Sequence, residues 1–486
     1  MSVKSKAWYE SVPLLFPGIC IAGGIVMGYY LSAPVRYVFV ATLIFLAASV
    51  LTCRFNRLQS VFVALSCILT GWLLWEIQHN SELSTLSGKR VTMDVVIVSE
   101  PSEREKTIVM DVLTAKSGEK LRLTLLKDDR SRTLLLGDGL QINGDIDSMP
   151  STSNYSGKIF AGSRYWSRKT VPLDGLHRTD RVRLYFLQLR HKVLARLRST
   201  IIDDDEYAIL AALTLGDKSA ISKAQRERYS IAGMSHLLAL SGLHLGIIYM
   251  FLSLLFHNRR YQVLNELLIV CSIWVFVLMV GMTSSVLRAA IMITIYSFVT
   301  LLNRSKSPLN TLLLTALIII IASPSALFDI GFQLSFTAVL SILLFVPLWS
   351  PKGKIWRIIW SPTIVSIAAQ AGTAPLVAYY FGRFSVWFLL ANYVAIPLTT
   401  ILLYSMLCML LFSWWPMVQS LVAFIPSTLA SWLNSWTSWI AGLPLSSIDQ
   451  LHPSKLQVAL IYVILGCIYY LLSYFKKHHY TRTAYA

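Results

Sequence analysis

The sequence predicts a polytopic α-helical membrane protein, with about 11–12 spans and an OB-like β-barrel as a soluble insert. Hydrophobic residues make up 55% of the 486 residues and charged residues only 14%, whereas soluble globular chains carry about 25% charged residues. The apolar residues form blocks of about 17–25, a length that crosses a bilayer. Of the 25 acidic residues, 20 lie between residues 77 and 232. This pattern excludes an ordinary soluble enzyme, a disordered chain and a disulfide scaffold.

Residues 1–76 form an N-terminal membrane region. Lys4 and Lys6 precede its first apolar block, and no small-x-small cleavage motif follows, which predicts a retained signal anchor. The six cysteines all lie in apolar blocks and form no CxxC pair, so they are interpreted as buried small hydrophobic residues. The three apolar blocks of this region are 13–32, 36–53 and 59–76.

Residues 77–163 are predicted to form the soluble domain, because polar and apolar residues alternate there with the period of a β-strand. Turn signals such as Ser117-Gly118 separate the alternating runs. Short strands at this spacing favour a small OB-like barrel, and a plain β-sandwich is the alternative. The four predicted strands are 91–98, 107–113, 121–126 and 140–146.

Residues 164–205 are predicted to form a basic amphipathic arm. The stretch 164–198 contains ten Lys or Arg and two acidic residues, and from Arg181 onward apolar residues interleave at helical spacing. Basic residues beside aromatic rings suit single-stranded nucleic acid, whereas a basic helix lying on anionic lipid is the alternative. The candidate DNA-binding residues of the arm are Arg164, Arg168, Lys169, Arg181, Arg183, Arg190 and Lys192.

Residues 206–475 are predicted to form the main membrane domain, with nine further apolar blocks, and residues 476–486 a cytoplasmic tail. The block 418–445 is the weakest, since it contains two prolines and several Ser and Trp. If both termini are cytoplasmic, the inside loops carry 14 Lys or Arg and the short outside loops three, a strong positive-inside signal. The insert then faces outward, with three spans before it and nine after it.

Arg288 stands out among the charged residues, because it lies near the start of an apolar helix. An arginine inside a membrane is costly unless it is paired or hydrated, so a functional partner or a wet cavity is expected. The alternative is that Arg288 snorkels to the outer interface.

The stretch Gly233–Gly246 concentrates polar residues at the start of an apolar block: His236, Ser241 and His244. Ser241 and His244 are three residues apart and therefore share a helix face. These residues have three alternative roles: pore lining or packing, a catalytic Ser–His pair, or metal binding. No GxSxG motif surrounds Ser241, and two histidines without a carboxylate are few for a metal, so pore lining or packing is favoured.

Further polar residues interrupt the later apolar blocks. Asp329 and Gln333 flank the start of one block, where the acid either approaches Arg288 or complements a helix dipole. Gln370 and Asn392 each lie five residues before a proline. Proline inside a membrane helix often kinks it at a cavity, although a kink without function is the alternative.

Six of these motifs, in this order, resemble the ComEC family of competence DNA-uptake channels. They are Leu213–Asp217, Ser235–Gly246 with its Ser-Gly-Leu-His core, Ser285–Ala290, Asp329–Phe336, Gln370–Pro375 and Asn392–Pro397. The three N-terminal spans and the β-rich insert are similar to the family's N-terminal region, where an OB fold is expected. Many members also carry a C-terminal metallo-β-lactamase-like domain, and the sequence is expected to represent the form without it, since no HxHxD pattern is present.

The resemblance implies an inner-membrane channel that imports single-stranded DNA during natural transformation, not an enzyme, with no cofactor and no metal. The expected partners are single-stranded DNA, the lipid bilayer, a periplasmic DNA-binding receptor, a separate nuclease, a cytoplasmic motor or helicase, and a second copy of the chain. A separate motor is expected because no GxxxxGK[ST] motif is present. The expected path residues are Arg288, His236, Ser241, His244, Asp329, Gln333, Gln370 and Asn392. The alternatives are a small-anion transporter and an intramembrane serine hydrolase that uses Ser241 and His244.

Overall fold

The computed structural model describes residues 12–82, 90–115, 118–147, 157–171, 178–256, 259–302, 307–349, 353–411 and 415–484. The chain divides into two compact units. The first comprises Met1–Lys192, Leu278–Gly281 and Leu313–Asp329. The second comprises Val193–Val277, Met282–Leu312 and Ile330–Ala486.

The first unit begins with three apolar helices that correspond to the three predicted N-terminal blocks: α1 (Leu15–Tyr30), α2 (Val35–Leu51) and α3 (Asn56–Glu82). Helices α1 and α3 approach each other at glycines. A Cβ on Gly24 would lie 1.8 Å from the carbonyl oxygen of Ile68, and one on Gly71 would lie 2.1 Å from that of Ile21. Small residues allow helix backbones to approach this closely.

Glu76 joins the turn between α1 and α2 to α3. It is only 4% exposed, and its Oε1 accepts the backbone N–H of Ala33 at 3.0 Å and the indole N–H of Trp72 at 3.2 Å. A buried carboxylate needs such donors. Glu76 is therefore an anchor for the turn.

The soluble insert forms a small barrel. Its elements are β1 (Arg90–Ile97), β2 (Ser102–Glu103), β3 (Thr107–Thr114), β4 (Lys120–Leu126), the short helix α4 (Asp129–Arg132), β5 (Gly139–Asp147), β6 (Gly157–Ala161) and β7 (Trp166–Arg168). The four strands predicted from the alternating pattern correspond to β1, β3, β4 and β5. Strands β6 and β7 have no counterpart in that prediction.

Five strands close the barrel in the order β1, β3, β4, β6, β5, since β5 also pairs with β1. Every pairing around the ring is antiparallel except that of β4 with β6. The alternate residues of these strands fill one apolar core that includes Leu123, Ile142 and Ile159. The β-sandwich alternative is excluded because one continuous ring of strands encloses this core. Strand β7 adds to β5, so the sheet extends past residue 163 into the predicted arm.

The helices that follow the barrel are α5 (Arg178–Thr200), α6 (Asp204–Leu215), α7 (Lys223–Ile231), α8 (Ser235–Leu238), α9 (Gly242–Leu255), α10 (Gln262–Val280), α11 (Ser284–Leu301), α12 (Pro308–Ala322), α13 (Ile330–Phe345), α14 (Lys354–Phe381), α15 (Phe388–Leu411), α16 (Pro416–Ala441) and α17 (Lys455–Ala484). Two short strands, β8 (Phe384–Ser385) and β9 (Ser447–Ile448), pair before α15 and after α16.

Helix α6 is the centre of the second unit's core. All its residues from Ala208 to Leu215 are buried, in one cluster with residues of α15 and α16 such as Ala395 and Leu433. The side chain of Asp203 caps the helix by accepting the N–H of Glu206, and Gly216 ends it in the left-handed conformation. No predicted apolar block corresponds to α6.

Seven helices of the described chain are long and apolar enough to cross a membrane: Arg57–His79, Gln262–Val280, Ser284–Leu301, Ile330–Trp349, Trp360–Phe381, Phe388–Leu411 and Lys455–Lys476. Four shorter apolar helices, α1, α2, α9 and α12, have 14 to 17 residues. Helix α16, which covers the weakest predicted block, is continuous but belongs to neither group. Each of the twelve predicted blocks thus contains a helix, and seven helices meet the criteria for a span.

Candidate functional site

Ser241 and His244 form a capping box where the chain breaks between α8 and α9. The backbone is extended at Ala239 and at Ser241, and α9 begins at Gly242. The backbone N–H of Ser241 donates to Nδ1 of His244 at 3.3 Å, and Ser241 Oγ lies 3.0 Å from the same nitrogen. A Glu or Gln normally accepts this N–H in a capping box. The predicted proximity of the two side chains is therefore observed, at a helix start.

The second ring nitrogen of His244 is buried. The residue is 0% exposed, and its Nε2 makes no hydrogen bond within the described part of the chain. Because Nδ1 accepts from a backbone N–H, the neutral imidazole carries its proton on Nε2. A buried donor without an acceptor costs about 1–3 kcal/mol. Nε2 is thus a hydrogen-bond donor in need of an acceptor.

His236 occupies a different environment from His244. It lies in the short helix α8, its side chain is exposed, and its Nδ1 is 3.2 Å from the carbonyl oxygen of Gly233. The break before Ser241 prevents the two histidines from sharing one helix. Among the described residues, no group of three or more His, Cys, Asp or Glu is placed to hold a metal ion.

Helix α11 brings Arg288 next to the start of α9. A Cβ on Gly242 would lie 3.6 Å from Cβ of Ala289, the residue that follows Arg288. Arg288 is only 4% exposed, and its Nη2 donates to the carbonyl oxygen of Gly331 at 2.8 Å. The guanidinium is therefore buried within the second unit, not extended to its surface, and it ties α11 to the first turn of α13.

Gln333 lies two residues further along α13 and accepts a hydrogen bond from the Tyr380 hydroxyl of α14 at 2.7 Å. The two helices also meet at Gly372, where a Cβ would lie 2.7 Å from the carbonyl oxygen of Thr337. Gln370 is half-buried on α14, and Asp329 is exposed directly before α13. Helix α14 continues through its prolines, so the Gln370 motif does not break the helix.

Helix α15 presents two polar groups that have no partner within the described chain: Oδ1 of Asn392 and Oγ1 of Thr399. Thr399 is 0% exposed. Residues seven apart lie on one face of a helix, so the two orphan groups are aligned. The proline that follows Asn392 lies inside a continuous helix.

Helices α9 and α15 are neighbours in the second unit. Upstream of α8 and of α15, a Cβ on Gly233 would lie 2.7 Å from Cβ of Ser385. The rings of Phe251 on α9 and Tyr404 on α15 are 5.4 Å apart. The two helices that carry the orphan groups therefore pack against each other.

The arm residues are distributed over three structures. Arg168 and Lys169 lie at the end of β7 and pair with barrel carboxylates, Arg168 with Asp138 at 2.7 Å and Lys169 with Asp94 at 2.9 Å. Arg164 is exposed in the turn before β7. The remaining four residues, Arg181, Arg183, Arg190 and Lys192, lie on α5.

Helix α5 buries its apolar face in protein. Leu184 joins a cluster with barrel residues, and Leu197 joins the core around α6. Arg183 Nη2 donates to the carbonyl oxygen of Gly281 at 3.4 Å, while Arg181 and Lys192 are exposed. A lipid-bound helix would present its apolar face outward. The burial of this face argues against the lipid alternative.

Arg383 joins the turn after α14 to helix α7 and to the segment after β9 in the second unit. Its guanidinium contacts Glu227 Oε1 at 2.8 Å, Asp449 Oδ1 at 2.5 Å and Ser230 Oγ at 3.0 Å. Partial burial lowers the pKa of Arg383. The hydrogen bonds and negative charge of the two carboxylates together raise this pKa by a larger amount, so the net shift is upward. The sequence showed Arg383 only as a loop charge, because its partners are distant along the chain.

Thr399 was also missed from the sequence. It lies in an apolar run, where threonine is common, and it is distinguished only by its burial without a hydrogen-bond partner among the described residues. The interval of seven residues from Asn392 was the available signal.

Fold and site define a helix-rich protein with candidate membrane spans, a β-barrel insert and buried polar groups at helix starts. A model of the family described as "Competence protein" matches residues 213–475, more than half of the chain. The chain therefore belongs to the competence protein family, which is the ComEC family that the motifs indicated.

Two curated relatives are similar to the chain. ComE operon protein 3 of Bacillus subtilis (strain 168) is 25% identical over 394 residues, which cover 78% of this chain and 48% of the relative. An uncharacterized protein of Aquifex aeolicus (strain VF5) is 28% identical over 193 residues, covering 40% of this chain and 45% of the relative. The chain thus spans about half the length of the curated relatives it matches. No solved structure matches.

Proposed function

We propose that the protein is an inner-membrane channel that imports single-stranded DNA during natural transformation. Its membership of the competence protein family supports a role in DNA uptake. The seven candidate spans support a location in the membrane.

One observation supports the path through the second unit more than any other. Buried polar groups gather on the neighbouring helices α9, α11 and α15, where His244, Arg288 and Asn392 are shielded from solvent. In a membrane domain such groups normally face a hydrated interior. Arg288 would attract phosphates there, and the uncharged donors and acceptors would replace water around the strand.

The barrel and the arm would receive the strand outside the membrane. An OB fold is a five-stranded Greek-key barrel that binds oligonucleotides. The observed ring, with its single parallel pair between β4 and β6 and the short helix α4 after β4, supports this assignment. The exposed cations Arg181 and Lys192 of α5 would add positive charge for the phosphates.

The proposed orientation keeps both termini in the cytoplasm. Two sets of contacts in the second unit agree with the assignment of its loops to two sides, and the Lys and Arg of the loops provide the reason to place the termini inside. Arg383 and its partners Glu227 and Asp449 all lie in segments expected outside. The Lys476 ammonium donates to the carbonyl oxygen of Pro347, and both lie in segments expected inside.

The proposed partners are single-stranded DNA, the lipid bilayer, a periplasmic DNA-binding receptor, a separate nuclease, a cytoplasmic motor or helicase, and a second copy of this chain. All of these except the second copy follow from the proposed reaction. A strand must be captured, freed from its complement, passed through the bilayer and pulled.

The test follows labelled DNA into the cytoplasm of a deletion strain complemented with this gene or with a variant. We expect Arg288→Ala to abolish uptake, because the buried cation is removed, while immunoblots of the membrane fraction show normal insertion. Arg54→Ala is the matched control, since Arg54 is exposed in the loop between α2 and α3.

If DNA reaches the cytoplasm equally well without the gene, the channel proposal is wrong and a small-anion transporter becomes the leading alternative. If uptake depends on the gene but Arg288→Ala behaves like wild type, the proposed path through the second unit is wrong. Labelling of Ser241 by a fluorophosphonate would support the serine hydrolase.

A further inference from the structure

Strands β4 and β6 present a row of side chains on the outside of the barrel. Their parallel register sets Arg122 beside Lys158 and Thr124 beside Phe160. The residues between them, such as Leu123 and Ile159, fill the core. Since successive side chains of a strand alternate between faces, Arg122, Lys158 and Phe160 point outward.

An exposed ring lies in the middle of this row. Phe160 is 53% exposed, and Tyr165 in the turn after β6 is 49% exposed. A Cβ on Gly162 would lie 3.6 Å from the ring of Tyr165 and 4.0 Å from Cδ1 of Leu126. The strand and the turn thus expose two aromatic rings close to the cations of β4 and β6.

The charge of the barrel is concentrated at the same place. The segments 120–126 and 157–165 contain four cations and no acidic residue: Lys120, Arg122, Lys158 and Arg164. Asp111 on the neighbouring strand pairs with Lys120 at 3.2 Å and approaches Arg122 at 3.7 Å. Strands β1 and β5 together contain three aspartates and one arginine. Strands β4 and β6 thus carry cations and no acidic residue, whereas β1 and β5 carry more acidic than basic residues.

The turn itself is held in place. Arg130 of α4 donates to the carbonyl oxygen of Ser163 at 2.8 Å, and its guanidinium lies 5.2 Å from the centre of the Trp166 ring. Arg164 and Tyr165 therefore project from a turn that is fixed on both sides. A fixed turn presents these two side chains with little loss of conformational freedom on binding.

We propose that this surface, formed by β4, β6 and the turn 162–165, is a binding face for single-stranded DNA, with Phe160 as its stacking platform. The choice of ligand rests on the proposed function. Single-stranded DNA binds where cations that contact phosphates flank rings that stack on bases. Duplex DNA hides the faces of its bases in the stack, so Phe160 gives the surface a preference for single strands.

The test measures binding of a fluorescent oligothymidine of about 15 nucleotides, near the upper site size of one small barrel, to the full chain in detergent by anisotropy. We expect Phe160→Ala to weaken binding about tenfold, in the range measured for loss of one stacked ring. Phe160→Trp retains a ring and is expected to retain binding. Lys158→Gln should reduce the slope of log K against log salt by about 0.7, the value for one phosphate contact on a single strand.

Leu135→Ala is the matched control, because Leu135 is equally exposed, at 55%, but lies after α4, outside the proposed face. Tyr185→Ala tests the rival location, an exposed ring on α5. A loss confined to Tyr185→Ala overturns the proposal, as does a wild-type protein that fails to bind the oligonucleotide or a Phe160→Ala variant that binds normally. An effect of Phe160→Ala that Phe160→Trp does not show supports it.

The result is separable from the channel proposal. If the purified protein binds through Phe160 but cells import DNA without the gene, the binding face stands and the channel proposal is wrong. If import depends on the gene but Phe160→Ala changes neither binding nor import, the channel proposal stands and the binding face is wrong.

Discussion

The two ring nitrogens of His244 serve different purposes. Nδ1 accepts the N–H of Ser241 and so closes the first turn of α9, while Nε2 is buried without a partner in the described chain. A residue needed only as a cap would be replaced equally well by any acceptor at that position. A residue that also contacts the translocated strand must offer a donor at Nε2.

Two amide substitutions separate these purposes. Asn places a carbonyl oxygen near the position of Nδ1 but has no donor near Nε2, whereas the longer Gln reaches the Nε2 position with its amide N–H. We therefore expect His244→Gln to retain a larger part of DNA uptake than His244→Asn. The measurement is transformation frequency in the complemented deletion strain.

Equal amounts of both variants in the membrane fraction are the necessary control. If His244→Asn supports uptake as well as wild type does, Nε2 has no role beyond the fold, and His244 is only a helix cap.

At the scale of elements, the contact between α1 and α3 depends on two glycines. The carbonyl oxygen of Ile68 occupies the space that a Cβ of Gly24 would need, and that of Ile21 does the same for Gly71. Because both obstacles are backbone atoms, no side-chain rotation can relieve the clash. The two helices must separate to admit even a methyl group.

Gly24→Ala should therefore lower the free energy of unfolding of the detergent-solubilised protein by about 1–3 kcal/mol, as overpacking does in other proteins. The melting temperature should fall accordingly. Gly23→Ala is the matched control on the same helix, because a Cβ there meets nothing within 4 Å. Since Ala favours helix over Gly, the control should be neutral or slightly stabilising. Equal melting temperatures of the two variants would contradict this account of the contact.

The helices show what a linear pattern can and cannot predict. Apolar blocks located every candidate span, because burial in lipid requires a continuous apolar run. The break at Ala239–Ser241 was not located, since the run stays apolar across it and a histidine replaces the usual Glu or Gln of a capping box. Helix α6 was missed because it is too short for a span and its burial depends on distant residues of α15 and α16.

In the barrel, too, some strands could be predicted from the sequence and others could not. Strands β1, β3, β4 and β5 alternate regularly between polar and apolar residues, and each of their ends was predicted to within one residue. Strand β6 has five residues and pairs in parallel with β4, whose partner residues precede it by 36 positions. A periodic pattern within one short segment cannot predict such a pairing. The candidate site follows this rule too: the sequence indicated Ser241, His244 and Arg288, but not Thr399, because only the folded structure shows that its hydroxyl is buried without a hydrogen-bond partner in the described chain.

At the scale of the whole molecule, the charges predict an orientation in the membrane. The segments expected outside meet at Arg383, and segments expected inside meet at Lys476. A contact between segments assigned to opposite sides would have contradicted the arrangement. The contacts within the described part of the second unit therefore agree with the assignment of these segments to two sides, and they leave open which side is the cytoplasm.

An alkaline phosphatase reporter inserted after Gly118, in the turn between β3 and β4, tests this orientation. The enzyme is active only outside the cytoplasm, so we expect high activity. A reporter joined at Lys476 should be inactive, and serves as the internal control. Activity at Lys476 with none at Gly118 would invert the proposed orientation.

The burial of α6 has a consequence for biosynthesis. Its partners in α15 and α16 are made roughly 180–220 residues later, which at 5–20 residues per second is a delay of roughly 10–40 s. During that interval α6 can pack only against the nearby residues of its core, such as Leu197, Tyr229 and Leu237. The core of the second unit is therefore completed only after α15 and α16 have been made.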